Sequence, residues 1–185
     1  MSTTEDTVNA PTGTTAPPGV RLREATAADG GTVAQLVREL AEHEHEPQAA
    51  TATGEDFARA LEAGGVGCLL AEVDRPDGGT EVAGMALWYT TFSTWQGRHG
   101  MWLEDLYVRP EHRRRGVARA FFGRLGVLCA ERGYGRLEWC VLHGNTSAQA
   151  FYRTLGGAPQ DEWALWRLDG ERLAQLGAPG APTRS

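Results

Sequence analysis

The sequence predicts a mixed α/β fold, mostly antiparallel, in which one sheet is flanked by helices. Three observations carry this. Helix-like and strand-like stretches alternate through residues 20–176. A turn signal, Asp77-Gly78-Gly79, joins two strand-like runs into a hairpin. Several stretches space their apolar residues three and four apart, which gives a helix one face to bury against a sheet.

Val20 to Arg23 reads as a first strand. Thr26 and Asp29 form a helix start, and Val33, Leu36, Val37, Leu40 and Ala41 follow at helical spacing. Thr53, Glu55 and Asp56 open a second helix that ends near Gly64. Val66 to Val73 and Val82 to Thr90 are the two arms of the hairpin, and Met101 to Val108 is a further strand closed by Arg109-Pro110. A long helix spans about Arg115 to Arg132, with Val117, Phe121, Leu125 and Leu128 as its stripe. Arg136 to Leu142 is a strand. Asn145 to Leu155 is a helix stopped by Gly156-Gly157, and Trp163 to Leu168 is a last strand. The order is β-α-α-β-β-β-α-β-α-β.

Residues 1–19 and 177–185 are poor in apolar side chains and are expected to be flexible tails around one domain, 20–176. The 185 residues carry a net charge of -6. An acidic chain is a poor partner for nucleic acid or an anionic membrane and suits cationic ligands. No apolar run is long enough to span a bilayer, and no signal-peptide pattern opens the chain. Three cysteines without metal spacing fit a reduced, cytoplasmic setting. His43-Glu44-His45-Glu46 does not make a metal site, because histidines two apart on a helix point in different directions. No metal is expected.

Arg113-Arg114-Arg115-Gly116-Val117-Ala118 lies between a strand and the long helix. A helix start offers unpaired N–H groups and the positive end of its dipole, so a phosphate is stabilised there. Arginines at that end oppose the usual preference for acids, which an anionic ligand would explain. This R-x-x-G-x-A turn resembles the coenzyme A signature of the GCN5-related N-acetyltransferase (GNAT) superfamily. The resemblance covers residues 20–176 and is closest to the diamine branch, which holds the spermidine/spermine and thialysine acetyltransferases. Phe92-Ser93-Thr94-Trp95-Gln96-Gly97-Arg98, Leu103-Glu104-Asp105-Leu106-Tyr107-Val108, Asn145 with Ala150-Phe151-Tyr152-Arg153, and Arg38-Glu39-Leu40-Ala41-Glu42-His43-Glu44 carry it. Ala118 departs from the more usual glycine.

The resemblance implies the GNAT fold, acetyl-CoA as donor and a homodimer. It implies that Leu106, Tyr107 and Val108 pair with the pantetheine arm. Arg113, Arg114, Arg115, Gly116, Val117, Ala118 and Arg119 would hold the pyrophosphate, and Asn145, Ser147 and Ala148 would touch the cofactor's far side. A backbone N–H near Val108 would polarise the thioester carbonyl.

Glu104 and Asp105 interrupt an apolar strand. Alternation sends them to opposite faces, so one of them meets a covered side as an ion-pair partner, a base or an amine-binding group. An alkyl amine arrives protonated and must lose a proton before it can attack a thioester, and a carboxylate can take that proton. By resemblance Glu104 is the base, working through a water. Tyr152 is the acid that protonates the departing thiolate, and Glu44, Ser93, Trp95 and Asp105 line the amine site. The spermidine/spermine enzymes carry an acid two positions before the pocket tryptophan. Ser93 stands there, the pattern of the thialysine-acetylating relatives. The expected enzyme therefore acetylates a small primary amine, thialysine- or lysine-like or a diamine, by direct attack in a ternary complex. The alternatives are a protein or peptide amine as acceptor, and a non-catalytic domain that senses acyl-CoA.

Overall fold

A computed structural model of the protein describes residues 16–176. Residues 1–15 and 177–185, most of the expected tails, lie outside the described residues. The chain divides into two compact parts that meet at Cys140/Val141.

The first part holds one five-stranded sheet in the order β1-β2-β3-β4-β5. Strand β1 is Val20–Glu24, β2 Gly67–Asp74, β3 Thr80–Ser93, β4 Arg98–Val108 and β5 Leu137–Trp139. The first four pair antiparallel and β5 pairs parallel to β4. Helices α1 (Gly30–His43), α2 (Gly54–Glu62) and α3 (Val117–Glu131) cover the sheet. The expected capping signals form. Asp29 reaches back to the Thr26 N–H, and Thr53 accepts from the Asp56 N–H while Asp56 reaches back to Thr53.

Strand alternation divides the core. Cys68, Leu70, Met85, Leu87 and Tyr107 share one face and pack against Val33 and Leu36 of α1, with Leu40, Phe57 and Leu61 at the margin. Leu69, Ala86, Trp88, Met101 and Leu103 occupy the alternate positions, and they are equally buried. Helix α3 packs against β1 to β4 through buried Val117, Phe121, Leu125 and Leu128. Gly67 has to be a glycine, because a Cβ there would meet the Trp88 ring at 2.4 Å.

The second part holds α4 (Thr146–Thr154) and α5 (Gly170–Leu176). Helix α5 was not expected from the sequence. Conversely, the strand expected at Trp163–Leu168 does not form. Trp163, Leu165, Trp166 and Leu168 are exposed, and residues 163–169 have no regular structure. An apolar run supplies side chains for a strand but not the ladder partner that makes it one. Likewise the strand expected over Arg136–Leu142 keeps only three residues. Among the described residues, no helix is long and apolar enough to cross a membrane.

Candidate active site

Glu104 stands where the β3–β4 register slips. Leu87 pairs with Asp105 and Trp88 with Leu103, so Glu104 is the extra residue of a β-bulge. Simple alternation would put Asp105 on the same side as Leu103. The bulge moves it to the side of Leu87, the face that α1 covers. Trp102, opposite Tyr89, lies on that face too. Glu104 joins it there, since Trp102 Nε1 donates to Glu104 Oε2 at 2.7 Å. The expected divergence of the two carboxylates is thus corrected: the bulge brings them together.

Glu44, the residue that caps the C-terminus of α1, adds a third acid. Burial first, then the negative charges of Glu104 and Glu44, push the Asp105 carboxyl up to about 6. The carbonyl end of α1 adds negative potential beside Glu44. Such a corner stabilises an ammonium and can accept its proton. Two aromatic rings border it: Tyr89 and Trp102 stack with centroids 6.4 Å apart and planes at 30°. Burial, then the Glu104 charge, raises the Tyr89 phenol above its ordinary value. Sequence reasoning missed both rings. Trp102 was detectable as the residue two before Glu104, but Tyr89 needs the strand register.

Strand β5 leaves β4 after Leu103, so among the described residues Glu104–Val108 is paired only on its β3 side. Leu106, Tyr107 and Val108 therefore lie on an open strand edge. Beyond it the phosphate-type turn is pinned at two points. Arg109 grips Glu39 of α1 through Nε (2.9 Å) and Nη2 (2.8 Å), while its Nη1 donates to the Val82 carbonyl. Arg113 donates from Nε to the Val108 carbonyl and lies over the Tyr107 ring. The Arg109–Glu39 clamp was another feature not read from the sequence.

Arg114 and Gly116 both have positive φ, at 61° and 83°, and turn the backbone into α3. Arg114, Arg115 and Arg119 are exposed, and the first turn of α3 carries no acid. Gly116 leaves its N–H side without a side chain, and a Cβ there would come within 3.0 Å of Pro17 Cγ. Val117 is buried and Ala118 half-buried. A helix start with exposed guanidiniums and no acid in its first turn fits a pyrophosphate.

Ser93 and Trp95 lie elsewhere. They sit at the β3–β4 hairpin tip, six residues along β3 from Leu87, the partner of Asp105. At strand rise that is about 20 Å. Ser93 is buried, and its Oγ accepts from the Gln96 N–H at 3.3 Å. Trp95 is 88% exposed.

In the second part, Asn145 caps α4 by accepting from the Ala148 N–H at 3.0 Å, and Ser147 stands in the first turn. Tyr152 is half-buried beside the Phe151 ring, and burial raises its phenol above the ordinary value.

Residues 33–156 match the family model of the acetyltransferase (GNAT) family. The chain is 34% identical over 169 residues to the thialysine N-epsilon-acetyltransferase of Bos taurus, covering 85% of this chain and 96% of that one. It is 36% identical to the enzyme of the same name from Caenorhabditis elegans, over 75% of this chain and 84% of that one. An integron cassette protein from the mobile metagenome of V. cholerae shares the fold, with a TM-score of 0.71 at 22% identity over 87% of this chain and 99% of the other. The match to the family model and the two enzyme relatives over most of their length agree with the bulged acidic strand and the arginine-rich helix start: this chain belongs to the GNAT acetyltransferase family and is an acetyltransferase.

Proposed function

We propose that this enzyme transfers the acetyl group of acetyl-CoA to the primary amine of a small molecule, thialysine- or lysine-like or a diamine. The observation that carries the reading is the meeting of Glu44, Glu104 and Asp105 on one face of the sheet beside the open edge of β4. The thialysine-acetylating relatives support the acceptor class.

Bound acetyl-CoA supplies an activated acetyl thioester. The exposed arginines and N–H groups at the start of α3 would hold its pyrophosphate, and the open edge at Leu106–Val108 its pantetheine arm. The acids do the rest: they draw in an ammonium, desolvate it in part, and take its proton at Glu104, directly or through water. Tyr152 Oη, protonated at neutral pH, is the donor for the leaving thiolate, the role the family resemblance gives it. The enzyme acts as a homodimer. The exposure of Trp95 and its separation from the acids of its own chain support a role for it at the acceptor site of a second protomer.

The test is kcat/KM for thialysine, lysine, putrescine, spermidine, spermine and a lysine peptide under one set of conditions. Thialysine or lysine should lead. A polyamine ahead by about tenfold (~1.4 kcal/mol) overturns the acceptor assignment, and the peptide ahead by as much points to a protein substrate.

A further inference from the structure

We infer that Trp102 is a positioning residue that aims the Glu104 carboxylate, an inference that rests on the proposed role of Glu104 as base. Glu104 is an exposed side chain on a bulged residue. Left alone, such a chain samples several rotamers. A base works only within hydrogen-bonding reach of the proton it takes, about 2.6–3.2 Å. Something must hold it, and no cation of the first part is bonded to it among the described residues. The indole does this instead: Nε1–H donates to Oε2 at 2.7 Å.

The indole is itself fixed. Its backbone is opposite Tyr89 in the β3–β4 ladder, and its ring stacks on Tyr89 at 6.4 Å and 30°. Glu104 stands two residues after Trp102, so strand alternation puts both on one face with Oε2 within reach of the indole, and the slip that follows brings Asp105 to that face as well. Indole nitrogen is a donor only, so it cannot compete with the carboxylate for the substrate proton. With Oε2 held, Oε1 is the oxygen left to face an amine or an intervening water. Trp102 thereby restricts the base without occupying it.

The experiment compares Trp102→Phe, Glu104→Gln and the double variant. Phenylalanine keeps an aromatic ring against Tyr89 and removes the donor. Trp102→Phe should lower kcat about tenfold, leave KM for acetyl-CoA unchanged, and change kcat by less than about twofold when Glu104 is already Gln. A second reading does not depend on turnover. The indole N–H resonance that disappears in Trp102→Phe should move upfield in Glu104→Gln, as its charged acceptor is lost. Full activity of Trp102→Phe, an equal loss in both backgrounds, or an indole resonance indifferent to Glu104→Gln would each overturn the inference. If Glu104→Gln itself retains wild-type kcat, it is the assignment of the base that fails.

Discussion

Replacing Asp105 by Asn should make the protein more stable, and increasingly so as pH rises. Burial and the charges of Glu104 and Glu44 hold the native carboxyl at about 6. An unfolded aspartate ionises near 3.9, so ionisation is about 3 kcal/mol less favourable in the native state than in the unfolded chain. Between those two values the native protein binds more protons than the unfolded chain. Stability therefore falls as pH rises through that interval and is lowest above about 6. Asparagine has nearly the same shape and no charge, so Asp105→Asn removes this loss. The expected gain is well under 1 kcal/mol at about pH 4 and about 2–3 kcal/mol at about pH 8, a sizeable part of a typical domain's 5–15 kcal/mol. Urea unfolding of both proteins at several pH values measures it. The same variant should lose affinity for the amine, whose positive charge is what makes three adjacent carboxylates tolerable. Equal stability at pH 8, or a loss, would show that Asp105 already has a cationic partner and would refute the acidic-corner argument.

Two further outcomes follow from the same structure. Tyr152→Phe keeps the ring and removes the acid, so kcat should fall about 10²–10⁴-fold with the melting temperature unchanged; a change within about threefold shows a packing tyrosine. Asp29, held by the Arg23 guanidinium at 2.7 and 2.9 Å and by Thr26, has its carboxyl lowered to about 2. Its contribution is present above about 3.9 and is lost as pH falls towards 2, so Asp29→Asn should lower stability by about 1–2 kcal/mol at neutral pH, discounted for the partly exposed Arg23. The difference should vanish in acid, and a pH-independent difference in urea midpoint would contradict the linkage.

The sheet and its helices were legible wherever a local signal decides structure. The Thr26/Asp29 and Thr53/Asp56 caps start helices through bonds three residues apart, and the stripe from Val117 to Leu128 buries itself against the sheet as its spacing requires. Where the outcome depends on a distant partner, legibility ended. Trp163–Leu168 has the composition of a strand and lacks a ladder. Arg109 looked like the end of a strand, yet its guanidinium joins β4 to Glu39, which lies 70 positions earlier.

The acids show the same limit more sharply, because here a sound local rule produced the wrong geometry. Alternation is exact only while the register holds, and one bulged residue reverses it for everything downstream. With Glu104 as that residue, Asp105 moves from the side of Leu103 to the side of Leu87, and two carboxylates meant to part become neighbours. The slip has an energetic cost: burial first, and then the charges of Glu104 and Glu44, displace the Asp105 carboxyl upward from its ordinary value. A fold retains such a cost where it is relieved by something that binds. An arriving ammonium is that counter-charge, and on this view the bulge and the acceptor are two halves of one electrostatic arrangement.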